Sequence, residues 1–185
     1  MAELPLNDER AYEGRHEMPS GRPLSVLLQE VLLQTDGTVT NLLELFTGEE
    51  IYVEKVTAGL YSSECEWPKV ELEPDPIVRD VLLCGKSTGL RYIFAHTHLF
   101  PEALAPPIQR RLSETSDPIG KVLREFRLES FRQIEERGCR PMPVVAQMLG
   151  RASSDRMQWR RYSVISGGTT VMEITEVFSE RLFVS

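Results

Sequence analysis

Trp159-Arg160-Arg161-Tyr162-Ser163-Val164-Ile165-Ser166-Gly167-Gly168-Thr169-Thr170-Val171-Met172-Glu173-Ile174-Thr175-Glu176-Val177-Phe178 places two runs of β-branched and aromatic residues on either side of a glycine pair. Adjacent glycines supply the positive φ angles that a tight hairpin turn demands, so the stretch reads as two antiparallel strands. The second run alternates: Met172, Ile174, Glu176 and Phe178 share one face, and Val171, Glu173, Thr175 and Val177 share the other. Glu176 is then the lone carboxylate on an apolar face. A two-residue turn places Trp159 opposite Glu176 and Arg161 opposite Ile174, diagonal to Glu176. A carboxylate and a guanidinium among aromatic and aliphatic side chains make a small, dry, charged pocket. The bland alternative is a Glu at the sheet edge in water, with an exposed Arg partner worth little.

The chain has 185 residues, enough for one domain with a sizeable core. Its 28 acidic and 21 basic residues give a net charge of −7, which argues against a general nucleic-acid surface. Cys65, Cys84 and Cys139 are odd in number and contain no C-x-x-C pair, so they read as reduced thiols of a cytoplasmic protein. The first ten residues lack a basic-then-apolar block, and no apolar run approaches the about 20 residues of a membrane span.

Residues 1–21 form a polar lead-in, and 22–185 a single domain. Ser25 is placed to cap a helix that carries Leu27, Leu28, Val31 and Leu32; a second short helix, Asn41 to Phe46, closes at Gly48. Ile51 to Val56 reads as a strand. Ile77 to Cys84 and Leu90 to Leu99 form another hairpin around Gly85-Lys86-Ser87-Thr88-Gly89. Arg79 shares a face with Ile77, Val81 and Leu83, where a guanidinium needs an acidic group or a ligand; Asp80 and Glu54 are the nearby structural candidates. Pro101 to Leu112 reads as helical. Ser116-Asp117-Pro118 signals another helix start, a cap followed by proline at the first position, with Ile119 in the first turn and apolar spacing through Phe126 and Phe131 to an end near Gly138. A proline-rich loop around Pro141 and Pro143 precedes the late hairpin. Hairpins without β-α-β alternation give an α+β fold, an antiparallel sheet with helices packed on one face.

His96-Thr97-His98 puts two imidazoles on one strand face, but a third metal ligand at matching spacing is missing. No G-x-S-x-G elbow, phosphate loop or G-x-G-x-x-G is present.

The strand arginine of V-R-D-V-L-L, the S-D-P-I-G helix start, and the hairpin R-R-Y-S-V-I-S-G-G ending in I-T-E-V-F together resemble the chorismate pyruvate-lyase (4-hydroxybenzoate synthase) family. The similarity runs from about Leu24 to Phe178. It implies a ligand enclosed under helical flaps on an antiparallel sheet, with no metal and no other cofactor. The activity implied is conversion of chorismate to 4-hydroxybenzoate, a quinone precursor, and pyruvate. By the same resemblance Arg79 meets the ring carboxylate and Glu176 the hydroxyl end of the product. Val39 and Ile119 bind through their backbones, and a monomer is implied. Two carboxylates on the substrate suit Arg79 plus Arg161 or Arg160 as bidentate partners. Glu176 and Arg79 are therefore the expected catalytic pair, with Val39, Ile119 and Arg161 binding substrate. A sensor domain of the same fold, binding a small aromatic acid without turnover, is the rival reading; no DNA-binding helix pair precedes residue 24.

Overall fold

The computed structural model describes residues 21–56, 75–179 and 182. The lead-in before Gly21, nearly all of the acidic loop from Ser62 to Asp75, and Cys65 lie outside the described residues.

Six strands form one antiparallel sheet: β1 (Ile51–Lys55), β2 (Ile77–Gly85), β3 (Arg91–Leu99), β4 (Phe131–Pro141), β5 (Arg156–Ser166) and β6 (Thr169–Ser179). Their order is β1-β2-β3-β6-β5-β4, so the late hairpin β5–β6 inserts β6 beside β3 and leaves β4 at the edge. The expected hairpins are both present, joined at the centre of the sheet.

Helices α1 (Leu24–Gln34), α2 (Val39–Thr47), α3 (Pro106–Glu114) and α4 (Ile119–Glu125) cover the face of Val81, Ala95 and Ile174. Leu32 of α1 and Val39 and Leu43 of α2 pack on Val81, Leu83, Ile93 and Phe178; Ile108, Leu112, Val122 and Leu123 of α3 and α4 pack on Tyr162, Met172 and Ile174. Each leucine buried this fully contributes on the order of 2 kcal/mol. The α+β sheet-and-helix architecture is thus as expected. One addition lies on the opposite face, where Val145, Ala146 and Leu149 of and beside α5 (Pro143–Met148) cover Leu82, Phe94, Met157 and Val177.

Three local expectations are corrected. First, the helix read from Ile119 to Gly138 stops at Glu125, and Phe131–Pro141 is strand β4. Arg127 takes φ 51° and closes a Schellman turn, with Leu128 N–H donating to Leu123 C=O and Arg127 N–H to Arg124 C=O. A glycine stop signal is absent from the sequence because an arginine occupies that left-handed position. Pairing with β5 then overrides the helix preference of Glu135-Glu136-Arg137, and these charges suit an edge strand. Second, α5 and its stop at Gly150 replace the proline-rich loop; Pro143 occupies the first helical turn, where its missing N–H costs nothing. Third, neither Ser25 nor Asp117 caps its helix: the cap positions are Pro23 and Pro118, without side-chain caps. Asp117 instead accepts hydrogen bonds from Arg111 Nε and Thr115 Oγ1.

Candidate functional site

Between the sheet and the first turns of α2 and α4 lies a cavity. The floor is sheet: Arg79, Val81, Thr97, Ala95, Ile174, Glu176 and Tyr162; the roof is Thr38, Val39 and Thr40 from α2 with Pro118, Ile119 and Gly120 from α4. Gly120 permits the close approach of the two helix starts, since a Cβ there would lie 2.7 Å from Thr38 Cγ2.

Arg79 comes from the first half of β2 and is 6% exposed. Its Nη2 donates to the carbonyl of Asp117 at 2.8 Å, and its Nε has no hydrogen-bond partner. Neither acidic candidate takes it. Asp80 points to the other face and holds His96 Nδ1 at 2.6 Å, while Glu54 pairs with Arg91 at 3.1 Å. Burial lowers the Arg79 pKa, with Asp117 opposing, yet a guanidinium stays charged at any ordinary pH. Thr97, beside Arg79 on β3, also has a buried hydroxyl without a partner.

Glu176 lies two strands away and two residues further along; strand spacing puts the two side chains on the order of 10 Å apart across the sheet. Its Oε2 accepts from Arg160 Nε at 2.7 Å and its Oε1 accepts from the Tyr162 hydroxyl at 3.0 Å. Arg160 is fully buried, donates through Nη1 to the carbonyl of Thr35 at 2.6 Å, and lies 5.0 Å over the Tyr162 ring. Burial opposes the charge on Arg160, but Glu176 and Tyr162 outweigh it and raise its pKa. Burial, then Glu176, drives the Tyr162 phenol pKa far up, so Tyr162 remains a proton-bearing donor. The carboxylate is held at both oxygens in a fixed orientation.

The expected partners of Glu176 are corrected. Arg160, not Trp159, stands opposite it, and Arg161 faces Thr175 rather than Ile174. The turn itself has two residues, with Ser166 opposite Thr169, but a bulge at Val171 moves Val164 opposite Met172. One extra residue on β6 exchanges the faces of β5. Arg160 and Tyr162 thereby join Glu176, and Arg161 turns away to Glu136 at 3.1 Å and Glu135 at 3.6 Å. The carbonyl of Val171 accepts the Phe100 N–H at 3.1 Å, tying the bulge to the chain after β3.

Of the residues singled out in the sequence, Arg79, Glu176, Val39 and Ile119 line one cavity, and Arg161 does not. Sequence reasoning missed Tyr162 as a donor, Thr97 and Arg132. Thr97 is the middle residue of His96-Thr97-His98, and alternation alone places it opposite to the histidines. His96 and His98 face away from the cavity with their Nε2 atoms 3.2 Å apart. Burial, then the neighbouring His96, lowers the His98 pKa. Among the described residues no group of three or more His, Cys, Asp or Glu side chains is placed to hold a metal ion.

An antiparallel sheet roofed by helix starts, with a buried guanidinium and a fixed carboxylate lining one cavity, has the makings of a small-molecule site. Residues 33–184 match the family described as Chorismate pyruvate-lyase Rv2949c-like, and the chain belongs to that family. The chain is 29% identical over 156 residues to the chorismate pyruvate-lyase of Mycobacterium leprae, covering 83% of this chain and 74% of that protein. To the chorismate pyruvate-lyase of Mycobacterium tuberculosis it is 26% identical over 159 residues, covering 83% and 80%. Among solved structures it resembles PhnF of Mycobacterium smegmatis, with TM-score 0.54 and 13% identity over 80% of this chain and 65% of that one; this likeness is of fold. No described helix is long and apolar enough to cross a membrane.

Proposed function

We propose that the protein is a chorismate pyruvate-lyase, releasing 4-hydroxybenzoate and pyruvate without metal or other cofactor. The observation that carries this reading is Arg79, a buried cation with an unpartnered Nε, in the same cavity as a Glu176 carboxylate fixed by Arg160 and Tyr162. Arg79 binds the ring carboxylate by charge-assisted hydrogen bonds, which strengthen in a water-poor space. The hydroxyl at the opposite end of the ring donates to Glu176. The backbones of Val39 and Ile119, at the two helix starts, complete the binding from above.

The reaction breaks the ring carbon–oxygen bond to the enolpyruvyl group and the carbon–hydrogen bond at the carbon bearing the hydroxyl. The electron pair of that carbon–hydrogen bond enters the ring, which becomes aromatic. The leaving enolpyruvate takes up a proton and becomes pyruvate. Glu176, gripping the hydroxyl, lies beside the carbon that loses its proton, and receives it as general base. Binding the two ends of the ring in fixed positions supplies the orientation for elimination.

The test is to mix purified protein with chorismate, without added metal, and follow 4-hydroxybenzoate and pyruvate together. Equal release of both is expected. Arg79→Ala should lower kcat/KM by about 100-fold, the upper range for a lost hydrogen bond to a charged group. Glu176→Gln keeps the shape and separates roles: turnover near normal would overturn the general-base assignment and leave Glu176 as a positioning group. If wild-type protein binds 4-hydroxybenzoate tightly but releases no product from chorismate, the binding-only reading replaces this one.

A further inference from the structure

Chorismate carries two carboxylates, and Arg79 accounts for one. We infer that Arg132 is the second anchor, holding the carboxylate of the enolpyruvyl group; this assignment rests on the lyase reading.

Arg132 belongs to β4, and its side chain lines the cavity together with Arg79. Its Nε is buried and has no hydrogen-bond partner, while Nη1 donates to the carbonyl of Asp36 at 2.7 Å. That bond ties the guanidinium to the link between α1 and α2 without spending its charge on a carboxylate. The guanidinium carbon lies 5.9 Å from the centre of the Tyr162 ring, so Arg132 stands beside the phenol that fixes Glu176. Arg132 also lines the open groove next to the cavity, with Thr38 and Gly120 shared between the two spaces. The departing three-carbon unit would therefore be held at the mouth.

Among the arginines of the described residues, Arg79 and Arg132 alone line the cavity, while Arg124 and Arg127 line the outer groove and not the cavity. Arg160 donates to Glu176 and to Thr35, and Arg161 lies on the opposite face with Glu135 and Glu136. A dianion in this cavity meets guanidinium groups from Arg79 and Arg132, and the product, which has lost the second carboxylate, meets Arg79 alone. Arg132 is thus a discriminator between substrate and product.

The full chain with Arg132→Ala and Arg132→Lys tests this through two readouts. The expected result for Arg132→Ala is a fall of about 10- to 100-fold in kcat/KM for chorismate, the range for a lost charged hydrogen bond. The dissociation constant of 4-hydroxybenzoate should stay within about twofold, since no Arg132 contact to the product exists to be lost. Arg132→Lys should recover part of the loss, as a point charge without the planar fork. Parallel weakening of chorismate and 4-hydroxybenzoate would mean that Arg132 merely supports the fold, and unchanged chorismate kinetics would remove it from the site; either overturns the assignment. Should the wild-type protein release no 4-hydroxybenzoate, the lyase reading fails by itself. Equilibrium binding of chorismate and 4-hydroxybenzoate to wild type and Arg132→Ala then decides the anchor separately: selective loss of the dianion keeps it, and equal affinities discard it.

Discussion

Arg160 and Arg161 are neighbours in sequence and opposites in structure. Arg160 points under the helices, fully buried, and completes a carboxylate–phenol–guanidinium set with Glu176 and Tyr162. Arg161 points to the other face, half-buried between Glu135 and Glu136 on the edge strand. The two faces use the same residue types for different ends. On the outer face most charges lie against a partner: Asp80 holds His96, Glu135 accepts from Ser163, and Arg161, whose Nε makes no hydrogen bond, still lies 3.1 Å from Glu136. Beneath the helices donors remain unspent, namely Arg79 Nε, Thr97 Oγ1, Arg132 Nε and Arg160 Nη2. Unpaired buried donors cost stability, which is why a cluster of them around one cavity marks a place made for a ligand. The gathering of unpartnered donors around one cavity, rather than their mere presence, distinguishes this face, since Arg161 Nε on the outer face also lacks a hydrogen bond.

The contrast breaks most visibly at Arg160. Arg160→Met leaves Glu176 as a buried carboxylate with its guanidinium removed, and should cost about 3–5 kcal/mol of unfolding free energy. Denaturant unfolding of the variant against wild type measures this. A loss below about 1 kcal/mol, the value of an exposed pair, would show that the two arginines are equivalent. Adding Glu176→Gln to Arg160→Met should return part of the loss, because the uncompensated charge is gone.

A smaller effect lies outside both faces. Glu49, just before β1, accepts from Ser87 and Thr88 of the β2–β3 loop and from Tyr92 of β3, and the Tyr92 hydrogen bond leads in lowering its pKa from 4.5 to about 2. The folded value lies below the unfolded one, so the contribution is present above about pH 4.5 and is lost as pH falls toward about 2. Stability measured across that window should drop more steeply in wild type than in Glu49→Gln. Equal slopes would show that the contact adds nothing. At neutral pH the variant should keep its affinity for 4-hydroxybenzoate.

The smallest effect expected is at Arg161. Arg161→Ala removes a partly exposed pair and should change chorismate turnover by less than about twofold, with stability altered by about 1 kcal/mol or less. A loss approaching that of Arg79→Ala would place Arg161 in the site and erase the distinction between the faces.

Arg79 and Glu176 are legible in the sequence because each is a charge in an otherwise apolar period-two face, and period two needs no knowledge of the partner strand. The hairpin turn at Gly167-Gly168 is equally local, since both glycines take the positive φ such a turn requires, 58° and 81°. The helix start at Pro118 shows in the same way, through residues adjacent to one another in the chain, whereas the second helix, read from Asn41, begins two residues earlier at Val39. Register is different in kind. It depends on where a bulge falls, and at Val171, where the carbonyl accepts the Phe100 N–H, no turn or bulge residue type marks the position in the sequence. Tertiary structure therefore decided that Glu176 meets Arg160 and Tyr162 instead of Trp159. It also decided that Phe131–Pro141 is a strand: an arginine in a left-handed turn stops α4, and the open edge of β5 pairs the segment that follows. That pairing brings Arg132 over the cavity. Alternation and turn chemistry are properties of neighbouring residues, whereas register and strand pairing are settled by contacts between segments far apart in the chain.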